Sequence, residues 1–470
     1  HVDFNYRIQS QNRHWDSQMR YNHDVNGNPY VYSNSSNVHE DYYKENYYNF
    51  NVYTEYTHSF NDKHNLHVMG GFQAEDLKQT QFGLQRNGIM FPDKPEVDLT
   101  NGLDYFGNEV TPSTNGSRNE WATAGFFARL NYDYMGKYLI EANLRADGTS
   151  RFRKGNQWKA FPSVSVGWNI ARENFFEPIT DVLGTLKLRA SYGSLGNQNT
   201  TNWYQTFQTM TIGSSDGSWL MNGKKPNTAT APGLVSTTLS WETIESYNLG
   251  LDWGLFNNRL TGSFDYYIRN TKDMVGNAPE LPALLGTSVP VTNNTDLRTS
   301  GWELSIGWND RLDNGFAYSA KFNVSDSRTK ITRYPNNPTN AISTYIEGRY
   351  INEIWGYSTV GLAKTDAEMQ AHLATLPNGG QDALGSDWKA GDIMYEDLNG
   401  DGKISGGAGT LGDTGDMKVI GNSTPRYLFG LDLNASWKGF DIRMFFQGVM
   451  KRDFWQGSTY LPEITFHYTL

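Results

Sequence analysis

The sequence predicts an all-β protein: a large antiparallel β-barrel that spans a membrane. Three observations predict it. Stretches of strict period-two alternation recur, connections alternate between short and long, and aromatic residues gather beside the short ones. The stretch 126–172 shows the alternation best. In FFARLNYDY, Phe126, Ala128, Leu130, Tyr132 and Tyr134 share one face, while Arg129, Asn131 and Asp133 share the other. Met135-Gly136-Lys137 turns the chain; Tyr138, Ile140, Ala142 and Leu144 then oppose Glu141, Asn143 and Arg145. In FPSVSVGWNI, Val164, Val166 and Trp168 oppose Ser163, Ser165, Gly167 and Asn169. Period-two alternation marks a strand with one apolar and one polar face. Ionised groups on the polar face need water. The apolar face would meet a second sheet in a soluble sandwich, and lipid in an outer-membrane barrel.

Strands are expected at about 2–8, 46–60, 65–80, 120–134, 138–147, 160–172, 185–193, 241–254, 259–270, 299–309, 316–327, 425–437 and 440–449. One more is expected at 460–470, where Ile464, Phe466, Tyr468 and Leu470 alternate with polar neighbours. Asp62-Lys63, Gly136-Lys137, Asn257-Asn258, Asp313-Asn314-Gly315 and Lys438-Gly439 form the short connections. Their residues supply the backbone angles of tight hairpins. The other connections are mostly long: 9–45, 81–119, 194–240, 271–298 and 328–424. The link 173–184 takes a short-side place and 148–159 a long-side place. Short turns at one end and long loops at the other are the plan of a bacterial outer-membrane barrel. A propeller would show a blade repeat of about 40–50 residues, and none is seen.

Tyr132, Tyr134 and Tyr138 flank one short turn; Trp253 and Phe256 flank another, Trp308 a third, and Trp437 and Phe440 the last. Singly, each fits ordinary cross-strand packing equally well. Their recurrence favours an aromatic girdle at a membrane boundary. Within 328–424, Thr365-Asp366-Ala367-Glu368 reads as a capping box, and MQAHLATL follows before Pro377. That pattern predicts a short helix inside an extracellular loop insert.

Composition bounds the rest. The chain has 470 residues, enough for two or three ordinary domains or one large barrel. It holds 47 Gly, 28 Tyr and 14 Trp, with hydrophobic residues at 37%. No apolar run reaches the roughly 18 residues of a transmembrane helix, which leaves a barrel open. With 0 Cys, disulfides and thiolate metal sites are excluded. Net charge −10 speaks against nucleic acid as a general partner. The opening HVDFNYRIQS reads as mid-strand and carries no signal peptide, so a segment of a longer, processed protein is expected.

Enzyme chemistry is weakly represented, and no catalytic residue is assigned. Nine His occur, none in a metal-ligand spacing, and no nucleophile elbow or phosphate loop appears. The sharpest motif is Asp397-Leu398-Asn399-Gly400-Asp401-Gly402-Lys403-Ile404. Oxygen side chains at 397, 399 and 401, with the Lys403 carbonyl, match the first half of a calcium loop, since Ca²⁺ takes six to eight oxygens. The position of the closing Glu holds Ala408, so Asp413 or Asp416 would have to close the site. The competing reading is an Asx-rich turn with no metal. Glu141, Arg145, Lys187, Arg189, Asp252, Asp265, Glu303 and Lys321 fall on polar faces and read as the lining of a wet lumen. Trp203, Tyr204, Trp219, Trp355, Tyr357 and Trp388 lie in long loops, where aromatics stack on cargo or anchor loop packing.

Several long phrases carry a family resemblance: NLRADGTSRFRKGNQWKAFPSVSVGWNIARENFF (143–176), LKLRASYGSLGNQN (186–199), LSWETIESYNLGLDWGLFNNRLTGSFDYYIRNTKDMV (239–275), TSGWELSIGW (299–308) and, within 391–448, GDIMYEDLNGDGKI with VIGNSTPRYLFGLDLNASWKGFDIRMFFQG. They resemble the SusC/RagA-like TonB-dependent transporters of Bacteroidota over most of 120–450. The resemblance implies an outer-membrane barrel of 22 strands with a plug in its lumen, in a protein roughly twice this length. On that expectation all of 1–470 is barrel segment, with plug, TonB box and several strands outside this chain. It further implies a SusD-like surface lipoprotein as lid, the TonB–ExbB–ExbD machinery as power source, and oligosaccharide or peptide import. The family's acidic residue after the DxNGDG loop falls on Asp416, which joins Asp397, Asn399 and Asp401 as a ligand of a structural calcium. The phrase YLPEITFHYTL follows FFQG more closely than the family pattern implies, as though a loop were spliced out near 450–460. The alternatives are a ligand-capturing outer-membrane barrel that does not transport, and a soluble secreted β-protein acting on carbohydrate.

Overall fold

A computed structural model describes every residue except 201, 211, 214–219, 224–225, 230–231, 279–286, 288 and 456–470. Its frame is one thirteen-stranded antiparallel sheet in which each strand pairs with the next along the chain. The strands are β1 (Val2–Ser17), β2 (Asn37–Phe60), β3 (His64–Asn87), β4 (Ser113–Tyr134), β5 (Tyr138–Thr149), β6 (Trp158–Asn169), β7 (Leu183–Asn197), β8 (Glu242–Leu255), β9 (Leu260–Asn277), β10 (Val291–Arg311), β11 (Ala317–Arg333), β12 (Arg426–Trp437) and β13 (Phe440–Lys451). Each corresponds to an expected strand. The strand expected at 460–470 lies outside the described residues.

The turn end is tight because its residues accept left-handed backbone angles. Asn61 and Asp62 sit at φ 52° and 53°, Met135 and Gly136 at 53° and 65°, and Lys438 and Gly439 at 48° and 85°. Such angles match the twist of the flanking strands. Between β6 and β7 the turn side carries two 3₁₀ segments, Ile170–Arg172 and Asn174–Ile179. The opposite end carries the long connections.

The main correction concerns strand length. Strands β1 to β4 and β9 to β11 run well into segments expected as loops: β1 extends to Ser17, β2 starts at Asn37 and β4 starts at Ser113. Inside the supposed loop 9–45 there is also a small hairpin, Arg20–His23 with Pro29–Ser33. A 24-residue strand such as β2 reaches about 80 Å at ~3.3 Å per residue, far more than a tilted crossing of a ~30 Å hydrocarbon core needs. The excess stands in water on both sides. There the ladder hydrogen bonds persist but the apolar alternation that marks a strand fades.

The outward face is apolar. Leu130, Ile140, Leu144, Val164, Val166, Leu249 and Ile306 are all exposed on it. Among the described residues no helix is long and apolar enough to cross a membrane; the strands supply the lipid-facing surface. Near the turns the same face carries the aromatics: Tyr134 stacks on Tyr138 at 6.2 Å, Phe256 lies 6.4 Å from Trp308, and Trp308 donates from Nε1 to the Tyr318 hydroxyl at 3.3 Å.

The long-loop end has small cores of its own. Phe152, Phe161, Leu239 and Trp241 pack together, and the Trp241 indole donates to the Gln157 carbonyl at 2.9 Å. The insert between β11 and β12 packs Ala363, Met369 and Met394 with Leu373 and Trp388. Its helix α1 (Asp366–Ala374) is where the capping box places it: Thr365 accepts from the Glu368 N–H at 3.1 Å. The Glu368 carboxylate reaches back to the Lys364 N–H, one residue before the cap.

Candidate functional site

Directly opposed residues of an antiparallel ladder point to the same side, as do residues two apart. That rule puts all eight expected lumen residues on one face. Glu141 opposes Asn131 and Ser165, and Ser165 opposes Ser191. Lys187 opposes Asp252, while Gly250 stands between Arg189 and Asp265. Asp265 opposes Glu303, and Lys321 opposes Gly307 and Asp432. Arg145 opposes Phe127 on the same side.

Four of the eight charges, Arg145, Arg189, Asp252 and Asp265, are held in ion pairs. Arg189 donates to Asp252 through Nε and Nη2, each at 2.8 Å, and to Asp265 through Nη1 at 3.0 Å and Nη2 at 2.9 Å. Gly250 makes room: a Cβ there would lie 2.6 Å from Asp265 Oδ1 and 2.7 Å from Arg189 Cζ. Arg145 pairs with Asp147 at 2.8 Å and donates to Gln73. Near the loop end, on the other face by the same rule because Asp326 opposes Trp302, Arg426 grips the largely buried Asp326 through two hydrogen bonds. A groove of about 530 Å³ brings Glu141, Lys187 and Arg189 together beside Asn131, Ser191 and Asn248. Its mixed charge leaves room for water and polar solutes.

The loop aromatics do not form one site. Trp203 stacks against the Arg151 guanidinium at 5.6 Å, and the Tyr204 hydroxyl accepts the Glu120 N–H at 3.0 Å. Trp355 and Tyr357 belong to a short strand, Glu353–Tyr357, within the insert. Arg349 covers Trp355 at 5.2 Å. Tyr357 and Trp388 both pack edge-on against Tyr395, at 5.7 Å and 6.4 Å. Burial pushes the Tyr357 and Tyr395 hydroxyls up from their ordinary range. Trp219 lies outside the described residues.

The acidic loop closes as Asp416 rather than Asp413 would close it. Asp397 accepts the N–H groups of Gly400 at 2.7 Å and Gly402 at 2.9 Å. Asn399 accepts from Asp401, and Asp401 from Lys403. Asp416 is fully buried and accepts from Leu398 and Ser405 at 2.8 Å each. Asp413 serves a neighbouring turn, accepting from Ala408 and Gly415. One oxygen each of Asp397, Asp401 and Asp416 lies within 4.8 Å of the others. Burial opposes ionisation of Asp397, but the N–H groups of Gly402, Gly400 and Asp401 outweigh it and hold its carboxyl below the usual range. Three converging carboxylates, one of them buried, fit a hard cation that takes oxygen ligands. The same hydrogen bonds also make a sound Asx turn.

Sequence reasoning missed Arg426 with Asp326, Gly250, and Trp121 beside Arg151. Each matters through a partner that only the strand register reveals.

A half-wall with an apolar outer face, an ion-paired inner face and loops of unequal length defines the class: part of an outer-membrane β-barrel. Residues 1–449 match the family described as TonB dependent receptor-like, beta-barrel, and the chain belongs to that family. The TonB-dependent receptor P3 of Formosa agariphila is 31% identical over 410 residues, covering 84% of this chain and 38% of that protein. The TonB-dependent receptor SusC of Bacteroides thetaiotaomicron is 27% identical over 399 residues, covering 84% of this chain and 36% of that protein. The structure of the RagAB peptide transporter matches with a TM-score of 0.71 at 22% identity, covering 95% of this chain and 45% of that one. The chain thus spans less than half the length of these relatives. Its place is the bacterial outer membrane; a soluble secreted protein is ruled out. The family consists of receptors and transporters, not enzymes.

Proposed function

We propose that this chain is the barrel wall of a TonB-powered importer that takes up oligosaccharides or peptides together with a SusD-like surface lipoprotein. The observation that carries the reading is the inner face: charged and polar side chains, ion-paired around Arg145 and Arg189, on strands whose other face is apolar. Such a wall encloses water. The relatives named SusC and RagAB support the pairing and the cargo class. Cargo binds among the extracellular loops, under the lipoprotein. TonB pull then moves a plug and opens the lumen past Glu141, Arg145, Lys187, Arg189, Asp252, Asp265, Glu303 and Lys321.

A structural calcium belongs to the same proposal. Asp397, Asn399, Asp401 and Asp416, with the Lys403 carbonyl, would hold it. Its charge would offset the converging carboxylates and pin the insert to one shape.

The test is isolation of the native protein from outer membranes in detergent, with mass spectrometry of co-purifying proteins and small molecules. A stoichiometric surface lipoprotein and TonB-dependent uptake support the proposal. Uptake that persists without TonB, or capture without uptake, overturns it in favour of a channel or a plain receptor.

A further inference from the structure

The loop after β7 folds over the end of β5 and holds a guanidinium that has no acid beside it among the described residues. Arg151 follows β5 directly, two residues beyond Thr149, at the loop end of the inner-face row Arg145, Asp147, Thr149. Its Cζ lies 5.5 Å from the Trp121 ring centroid and 5.6 Å from that of Trp203. Trp121 shares the inner face, because Thr123 opposes Thr149. Nη1 donates to the Thr200 hydroxyl at 3.3 Å. Nε is shielded from solvent and has no hydrogen-bond partner among the described residues. The Gln198 and Gln205 amide oxygens, on the same loop, are shielded and unpartnered among the described residues too. The loop is anchored in place: buried Thr206 donates to the Arg151 carbonyl at 3.0 Å, and Arg153 donates to the Thr206 carbonyl at 2.7 Å.

Other arginines show what is missing. Arg145 has Asp147, and Arg189 has two aspartates. Arg333 also has a shielded, unpartnered Nε, but its Nη2 meets Asp273 and Asp296 at 3.0 Å each. Arg151 has no carboxylate at ion-pair distance among the described residues. Burial therefore disfavours its charged form with no ionic compensation. The two indole faces offset only part of that cost. A planar guanidinium fork matches a carboxylate in two parallel hydrogen bonds. The two indoles fix the position of that fork.

We propose that Arg151, held between Trp121 and Trp203, is a subsite for a carboxylate group on the imported cargo. The carboxylate is that of a uronic acid in an oligosaccharide, or of a peptide terminus or acidic side chain. The word cargo rests on the import reading; the binding chemistry does not.

The experiment measures binding to the full-length protein in detergent by calorimetry. The probes are a short oligogalacturonate with its carboxyl-reduced twin, and a short peptide acid with its amide. One charged probe should bind about tenfold or more tightly than its neutral twin, and that pair names the source. Arg151→Gln should erase the difference, and Arg151→Lys should retain part of it. If Arg151→Gln fails to fold, as judged by heat-modifiable migration, Arg151→Lys carries the test through reduced discrimination. Equal binding of charged and neutral twins overturns the inference, as does discrimination that survives Arg151→Gln. Binding is read without TonB. Failed uptake with intact discrimination therefore overturns the import reading alone, and uptake without discrimination overturns only this subsite.

Discussion

Arg189 and Asp252 meet fork to fork, with Nε and Nη2 each 2.8 Å from a carboxylate oxygen. Asp265 closes on the same guanidinium from the next strand, so β7, β8 and β9 share one cation. Arg189→Met should leave two aspartates facing each other across Gly250. With Arg189 and Asp252 about one-third exposed, screening limits the loss to about 1–2 kcal/mol. Thermal midpoints in detergent read it. A midpoint unchanged in Arg189→Met would show that water already replaces the pair.

Gly250 makes a separate prediction. A side chain there would overlap both Asp265 and Arg189. Gly250→Val should therefore displace the guanidinium and destabilise the barrel at least as much as Arg189→Met does. The two losses should not add in the double variant, because both remove one arrangement. Additive losses would mean that Gly250 serves backbone geometry instead.

The strands were legible because lipid and water impose opposite demands on alternate residues. Phe126 to Tyr134 and Tyr138 to Leu144 display that demand without reference to any partner. The outer halves of β1, β2 and β4 were illegible for the complementary reason: both faces are polar there, as with Gln9, Gln11 and Arg13 on one face of β1 and Ser10, Asn12 and His14 on the other. The helix was legible from Thr365 and Glu368, whose contacts are local. Among site residues, the lumen face followed from parity alone. Arg151 did not, because its character comes from Trp121 and Trp203, far away in sequence and joined only by register and loop docking. The acidic loop lay between these cases. Its 397–401 half is local, whereas the closing position was narrowed in sequence to Asp413 or Asp416.

At the turn end, Glu173 gathers three donors. Its Oε1 accepts the Tyr138 hydroxyl at 2.6 Å and the Trp168 indole at 3.1 Å, and its Oε2 accepts Lys137 Nζ at 3.1 Å. The Tyr138 hydroxyl foremost, then Trp168 and Lys137, holds the Glu173 carboxyl below its ordinary range. A carboxyl depressed in the folded state stabilises above its unfolded pKa of about 4.3 and ceases to do so as pH falls through the folded value. Wild type should therefore exceed Glu173→Gln in thermal midpoint at about pH 7, and the gap should shrink towards about pH 3. A gap of constant size across that range would mean that Glu173 acts by shape alone.

Asp416 is fully buried, yet its two oxygens face Leu398 and Ser405 N–H groups and the carboxylates of Asp397 and Asp401. With calcium bound, the insert should resist limited proteolysis between 397 and 416, and chelation should open it to cleavage. Asp416→Asn removes one acceptor and one negative charge. It should cleave readily with or without calcium. Asp413→Asn, which disturbs only the neighbouring turn, should keep the calcium response. Two results would separate the readings. If chelation leaves the wild-type pattern unchanged while Asp416→Asn still opens the loop, the aspartate works as a hydrogen-bonded clamp and the metal assignment falls. If chelation and Asp416→Asn expose the same bonds, and added calcium restores protection only in wild type, the cation holds the loop.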